Sequence, residues 1–525
     1  MRLFRAVLGL CAMALVVGVM PASASVSAAA QGELVTVGNG TLRGTVNGAG
    51  RRFLGVPYAA PPTGERRFRP PQPATPWSGV RDTRRQGEMC PQAGLPIGAE
   101  DCLVLNVHTP PAAESKNLPV MVWIHGGAYT AGSGGMYDPT TMVTKGGVIV
   151  VTVNYRVGPL GFLALSGLAA ESGTTGDYGL LDQQAGLRWV RDNIGAFGGD
   201  PGNVTIFGES AGGHSVCMQL ISPTAAGLFH RAISESGGCA GTDLGPVPAS
   251  TAYERSGDFA EAVGCAVPET AVSCLRGKPL KDLQAAAGEV LPVGGLTWAP
   301  VIDGKVIKEP ARTALASGRY NKVPLISGTN KNEGRLFVAL QYHLLKLRRA
   351  NAADLEAAIR LRAGEVTPEL RAAYPPKAAD DADLALSAVL TDGLFSCPAL
   401  LTDQAAAANA GQRVYAYEFA DPDPPLSATD PLMPLGDYHA AEVLYLFDTV
   451  RGLPPPLGLT AGQLRLSDQM TTYWTTFART GNPNGPGTPA WPAFTSGSAR
   501  MQRLTAQGTA PFTTFAVDHK CALWD

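Results

Sequence analysis

Four almost unbroken apolar runs constrain this chain more than any other feature: "LVLNVH" at 103–108, "PVMVWIHGG" at 119–127, "GVIVVTVNY" at 147–155 and "VTIFG" at 204–208. A strand with one wet face alternates apolar and polar residues. Continuous runs of this length belong to a sheet covered on both faces by helices. Between the last two lies "DYGLLDQQAGLRWVRDNIGAFGGD", where Leu181, Ala185, Trp189 and Ile194 recur at helical spacing and "GGDPG" supplies a stop. Further strands are expected at "HRAISESG", "VPLISGTN" and "RVYAYEFA". Ahead of these, "LVTV", "TLRGTV" and "RFLGVPYA" alternate between Gly/Asn turns and predict antiparallel strands. Beyond about Gly241 the pattern loosens into helices, with Ala-rich stretches near 258–264, 352–373 and 402–410. No internal repeat or low-complexity linker divides the chain. The expectation is one α/β domain with a large, mostly parallel central sheet, N-terminal antiparallel strands and helical insertions.

The first residues read differently. Arg2 and Arg5 precede an apolar stretch from Ala6 to Met20, and small-residue sites follow. This is the layout of a secretory leader, cut after Ala24 or as late as Ala28 or Ala30. The domain is then 31–525, exported, with no further membrane span. Hydrophobic residues make up 45% and charged residues 16%, which suits a large buried core; the net charge is −2, and nothing resembles the clustered basic face of a nucleic-acid footprint. The short basic patches "RRFRPPQP" and "RDTRR" read as solvated surface or ion-pair partners. Nine cysteines occur, and eight remain once Cys11 leaves with the leader. In an oxidising compartment an even set implies disulfides. Cys90 lies close to Cys102 and Cys265 to Cys274, while Cys397 and Cys521 could tie the tail to the body. Cys217 and Cys239 are left as a pair or as buried thiols; connectivity is open at this level.

Residues 204–213, "VTIFGESAGG", hold a G-x-S-x-G. A strand that turns sharply into a helix lifts such a serine above the sheet edge as a nucleophile. By itself the motif is an ordinary glycine-serine turn, so a base and an acid have to be found in the order Ser, Asp/Glu, His. His108, His125, His214 and His230 do not follow an acid downstream of Ser210. His343 falls in the amphipathic "VALQYHLLKLRR", where a packed or surface histidine is expected, and His519 in the tail beside Cys521. His439, in the loop "PLGDYHAAEVLYLFD", suits a general base. For the acid, Glu333 stands just past the strand of "VPLISGTNKNEG"; its rival Asp303, in "PVIDG", is more simply a tight turn. The run "VWIHGGAYTAGSG" after a buried strand offers backbone N–H donors, and Gly127, Ala128 and Ala211 would form an oxyanion hole. No metal or organic cofactor motif is present: no H-E-x-x-H, P-loop or dinucleotide fingerprint.

With these residues in view, the chain closely resembles the type-B carboxylesterases, which include cholinesterases, bile-salt-activated lipases and bacterial p-nitrobenzyl esterases. The resemblance rests on "EDCLVLNV" at 100–107, "FGESAGG", "GVPYAAPPTGERRFRPP", "NYRVGPLGFL", the whole run to "GESAGG", and "RTGNPNGP" with the following "WP". It implies an α/β-hydrolase fold, the triad Ser210, Glu333 and His439, and the oxyanion donors Gly127, Ala128 and Ala211. Glu209 and Ser236 are implied as neighbours of the acid–base pair. The resemblance also implies the pairs Cys90–Cys102, Cys265–Cys274 and Cys397–Cys521, and the ion pairs Glu100–Arg67 and Asp182–Arg156.

Departures from the family pattern narrow the activity. Position 128 is Ala where many relatives have Gly. The Cys90–Cys102 loop, "PQAGLPIGAED", holds no aromatic residue for a choline ammonium and is short for a lipase lid. Before "PVIDG" the stretch "VGGLTW" places Gly294, Gly295 and Leu296 at the acyl pocket, which implies room for more than an acetyl group. The expected substrate is a small-molecule ester, with no nucleic acid and no assigned protein partner. The alternatives are an acyltransferase or amidase using the same triad, and a non-catalytic, neuroligin-like binding protein.

Overall fold

The structure is a computed structural model; it describes residues 33–111, 116–241, 245–288, 296–376, 382–425, 430, 432–450 and 458–524. The expected leader with Arg2, Arg5 and Cys11, and the expected pocket residues Gly294 and Gly295, lie outside the described residues.

The apolar runs form the centre of an 11-stranded sheet. Leu118–Ile124 lies parallel to Ile149–Val153 on one side and to Gly199–Glu209 on the other. The parallel order continues through Arg231–Glu235, Leu325–Asn330 and Val414–Phe419 to Met501–Leu504. Antiparallel strands close both ends: Ala510–Phe512 at one, and Val104–Thr109, Gly50–Pro57 and Thr45–Asn47 at the other. Leu34–Val37, Gly40–Arg43 and Val80–Asp82 make a separate three-stranded sheet. The strands expected from the sequence are therefore present, and the central sheet is mixed at its edges and parallel in its middle.

Alternation along each run explains why both faces are apolar. Val120, Val122 and Ile124 join one core with Val151, Val153, Val204 and Ile206. Met121 and Trp123 join the opposite core with Val150, Phe207, Ile233 and Ile326. Helices Tyr178–Asn193 and Ala211–Ile221 cover the first face; the 20-residue helix Ala461–Thr480 covers the second through Leu466, Met470, Tyr473, Trp474 and Phe477. Helix Tyr178–Asn193 differs from its expected stripe. Leu181 and Ala185 are only half-buried, Ile194 falls in a following 3₁₀ turn, and Leu180, Leu187 and Val190 are fully buried. Asp182, Gln183 and Gln184 are buried too, because each is paired across the helix packing: Asp182 with Arg156, Gln183 with Ser215, and Gln184 with Gln219. A charged residue inside that stripe hid the true face.

The stretch Ala382–Ala407 is long and apolar enough to cross a bilayer, contrary to the reading that nothing beyond the leader is. Of its most apolar window 72% is buried within the protein, so interior packing accounts for its composition. It is α-helical at both ends and π-helical over Thr391–Ser396.

Four disulfides are formed: Cys90–Cys102, Cys217–Cys239, Cys265–Cys274 and Cys397–Cys521. Cys217 and Cys239, left open by the sequence, pair because helix Ala211–Ile221 packs beside the loop that leaves Arg231–Glu235. Arg67 forms a two-point pair with Glu100, and Arg156 one with Asp182 that is almost fully buried.

Candidate active site

Every candidate in the triad leaves the sheet at the carboxyl end of a parallel strand, where an α/β sheet leaves room for a ligand. Ser210 follows Gly199–Glu209 at once and stands at φ 59°, ψ −125°. Such a conformation is costly for a residue with a side chain and persists only where its surroundings enforce it. Here the Ser210 N–H donates to the Glu235 carbonyl of the neighbouring strand, and helix Ala211–Ile221 starts directly behind it. The flanking glycines permit the turn: a methyl group on Gly208 would lie 2.5 Å from the Ile124 carbonyl oxygen, and one on Gly212 2.0 Å from it. The Ala211 N–H, at the first turn of this helix, has no partner four residues back and points with the helix dipole toward any developing negative charge.

Glu333 stands three residues past the end of strand Leu325–Asn330 and is completely buried. One carboxylate oxygen accepts the Asn330 N–H at 2.8 Å, and the other accepts His439 Nδ1 at 2.6 Å. The second bond sets the imidazole tautomer, leaving Nε2 as the basic nitrogen. Nε2 is buried and makes no hydrogen bond in this structure; Glu209 Oε1 lies 3.1 Å from it. The imidazole ring is flanked by Phe337 and Phe395, each 4.9 Å away centre to centre, and these two rings stack on each other. His439 is thus held by a carboxylate at one nitrogen and by aromatic walls at its faces.

The loop after strand Leu118–Ile124 turns back over Ser210. A methyl group on Gly126 would lie 3.1 Å from Ser210 Cβ, so the loop hugs the elbow. Gly127, Ala128 and Tyr129 have φ of 109°, 55° and 57°. Successive residues of this kind form a concave row of backbone N–H groups that suits an anion. Gly127 is exposed and Ala128 half-buried, so the row is open to solvent. The Cys90–Cys102 loop props it: Gln92 Oε1 accepts the Gly132 N–H at 2.6 Å, and the Ala93 N–H donates to the Thr130 carbonyl. His125, behind the loop, bonds the Gly126 carbonyl through Nδ1 and stacks on Tyr155. Burial holds its pKa down at about 4, which keeps the ring neutral.

Four buried carboxyl groups gather around the histidine: Glu209, Glu235, Glu333 and Glu442. Burial first, and then the charges of Glu333 and Glu235, push the Glu209 carboxyl well above its ordinary pKa. Glu442 is raised by burial and by Glu209, Glu333 and Glu235. Burial raises Glu235 to about 8, offset in part by the hydrogen bond from Trp474 Nε1. Three of the four are thereby biased toward the neutral acid. Burial, with the neighbouring His439 adding to it, lowers His214 to about 3.

The remaining sequence candidates separate cleanly. Asp303 belongs to a turn: one oxygen accepts the N–H groups of Lys305, Val306 and Ile307. His343 lies between Asp383 and Asp430, and His519 between Asp392 and Glu418, so neither stands at the serine. Ser236 has φ 50° and donates its N–H to the Gly328 carbonyl; its buried Oγ has no hydrogen-bond partner and does not bond the acid–base pair. Leu296 is half-buried, and its carbonyl accepts Arg255. Sequence reasoning missed Glu442, Glu235, Phe337, Phe395 and Gln92. Glu442, three residues after His439 in "HAAE", carried a readable signal; Phe395 is brought in only by the packing of Ala382–Ala407.

Comparison with known proteins places the whole chain in a family. The profile described as "Carboxylesterase family" matches residues 31–524. The chain is 36% identical over 480 residues to para-nitrobenzyl esterase of Bacillus subtilis (strain 168), covering 88% of this chain and 92% of that protein. It is 37% identical over 484 residues to liver carboxylesterase 1 of Oryctolagus cuniculus, covering 84% and 83%. A solved structure titled "PNB esterase" superposes with a TM-score of 0.80 at 34% identity, covering 94% of this chain and all of that one. An elbow serine, a carboxylate-held histidine and this span of similarity have one common meaning: the chain belongs to the carboxylesterase family and is a serine carboxylic-ester hydrolase on an α/β-hydrolase fold.

Proposed function

We propose that the protein is an exported carboxylesterase that works through an acyl-serine at Ser210. Ser210 Oγ attacks the ester carbonyl carbon as its proton passes to His439 Nε2. Glu333 holds the imidazolium that forms, and the N–H groups of Gly127, Ala128 and Ala211 receive the tetrahedral oxyanion. Collapse expels the alcohol, which takes the proton from Nε2; water then repeats the sequence and releases the acid. The observation that carries this reading is the 2.6 Å contact between His439 Nδ1 and buried Glu333, on the same sheet edge as the elbow serine.

The leader and the four disulfides support export, with residues 31–525 as one hydrolase unit. The small residues of "VGGLTW" support an acyl pocket wider than acetyl. The first experiment is turnover of p-nitrophenyl acetate, butyrate and octanoate by the mature chain beside Ser210→Ala. The variant is expected to lose about six orders of magnitude in kcat, with butyrate or octanoate preferred over acetate. Equal rates for the two proteins would sink the acyl-serine mechanism. Addition of an alcohol acceptor separates hydrolysis from acyl transfer. N-terminal sequencing of the protein released by a secreting host tests export, with Ser25 expected first after a cut at Ala24.

A further inference from the structure

From Glu333 the chain climbs out of the interior through Gly334–Val338, which is α-helical, and Ala339–Leu345, which is π-helical. Phe337 touches the His439 ring, Tyr342 is buried, and His343 is clasped between Asp383 and Asp430. Past that clasp the leucine side chains are exposed. Leu344 and Leu345 are 63% and 62% exposed, and Leu347 is 82% exposed, the highest of any large apolar residue described. Leu347 also sits at φ 51°, a left-handed conformation that a leucine adopts only under constraint. Exposure and a left-handed backbone coincide here: the Arg348 N–H closes the turn onto the Tyr342 carbonyl at 3.0 Å, and the three leucine side chains are left on the outside of that turn.

The charges around this tip are sorted by depth. Arg348 pairs with Asp354 and Arg349 with Asp383, but the carboxylates are the inner members. The side chains of Asp383 and Asp354 are 1% and 15% exposed, against 35% for Arg349 and 41% for Arg348. Lys346 is exposed and makes no ion pair among the described residues. Its ammonium and the Arg348 guanidinium both lie over the Tyr342 ring, at 4.3 Å and 5.1 Å. The outer surface is therefore three leucines rimmed by three cations, two of which, Lys346 and Arg348, are gathered beside the leucines by the face of the Tyr342 ring.

We propose that Leu344, Leu345 and Leu347 form a docking tip for an anionic lipid surface, with Lys346, Arg348 and Arg349 against the headgroup phosphates. Such a surface offers an apolar layer for the leucines and negative charge for the rim together. A second copy of the chain fits less well, because two-fold pairing on this tip would set Lys346 and Arg348 against themselves. The same segment supplies Phe337 to His439, so docking brings the site close to esters held in that surface. This last consequence rests on the hydrolase reading; the docking does not.

The test is flotation of the mature chain with phosphatidylcholine vesicles, with and without about a quarter phosphatidylglycerol, at about 0.1 M salt. Two variants are compared: Leu344→Ser/Leu345→Ser/Leu347→Ser, and Lys346→Glu. Wild type is expected to float with the anionic vesicles, the triple variant about ten-fold less, and Lys346→Glu to lose much of the anionic preference. Unchanged hydrolysis of soluble p-nitrophenyl butyrate, or an unchanged Tm if no protein turns over, shows that the variants fold. Wild type left at the bottom, or a triple variant that floats equally well, overturns the proposal. So does a wild-type dimer by light scattering that the leucine changes dissolve without any vesicle binding.

Discussion

At the residue scale the site turns on one hydrogen bond and on where protons rest. Because Glu333 fixes His439 through Nδ1, Glu333→Gln leaves the geometry in place but allows the wrong tautomer. A fall of about 10³- to 10⁴-fold in kcat is expected, with KM changed little, measured on p-nitrophenyl butyrate. Glu442 behaves differently. Its carboxyl is fully buried, and burial with its three carboxyl neighbours holds it in the neutral form. In the unfolded chain it ionises near pH 4, so above that pH the native state holds one proton more than the unfolded state. Stability therefore falls as pH rises through this window. Glu442→Gln removes that slope while keeping a carbonyl oxygen to accept Asn330 Nδ2. Urea unfolding is expected to show the variant gaining on wild type at pH 8 relative to pH 5; an equal difference at both would refute a neutral Glu442.

At the scale of elements, two devices far apart in sequence brace the loops that carry the proposed oxyanion donors and His439. The Cys90–Cys102 disulfide closes a loop whose Gln92 and Ala93 bond Gly132 and Thr130, so it props the loop of the proposed oxyanion donors. Cys90→Ala/Cys102→Ala is expected to cost about 2–4 kcal/mol of stability. Gln92→Ala, with the disulfide intact, is expected to lower kcat about ten-fold and to cost about 1–3 kcal/mol, because the buried Gly132 N–H and Cys90 carbonyl lose their partner. Comparison of the two by melting and kinetics separates bracing from mere cross-linking. The second device is the C-terminal clasp. His519 sits between Asp392 and Glu418, and Asp392 belongs to the π-helical turn that carries Phe395 to His439. Burial would depress the His519 pKa, but hydrogen bonds to those two carboxylates raise it to about 9. The stability it contributes is fully present below about pH 6.5 and is lost as pH rises through 9. His519→Gln is expected to lose about 3 kcal/mol at pH 6 and to flatten the decline between pH 6.5 and 9. Parallel declines in thermal melts of variant and wild type would discard the clasp.

For the molecule as a whole, stability is distributed over two apolar layers and four cross-links. The central strands feed both layers by alternation, so a single change in "PVMVWI" disturbs one face only. Val122→Ala opens a cavity against Val151 and Ile206, and Trp123→Ala one against Phe207 and Phe447. The valine change is expected to cost roughly 1–3 kcal/mol and the tryptophan change 3–5 kcal/mol, read by urea unfolding. Near-additivity in the double variant would show that the sheet insulates its two faces.

Much of this was already written in the residues. Continuous apolar runs announce a sheet buried on both sides, because no other structure hides every side chain of a strand. The order of serine, acid and histidine, with six histidines set aside, named Ser210 and His439 as candidates with Glu333 favoured over Asp303, and the packed chain brings Glu333 rather than Asp303 to His439. What only the tertiary structure decided depends on contacts between distant segments. The buried face of Tyr178–Asn193 was misread because Asp182 becomes apolar in effect once Arg156 neutralises it. The pairing of Cys217 with Cys239, the walls of Phe337 and Phe395 around His439, and the gathering of Glu235 and Glu442 with Glu209 likewise required three dimensions. Local pattern encodes which residues turn inward; burial and mutual charge set what they do there, and both exist only after the chain has packed.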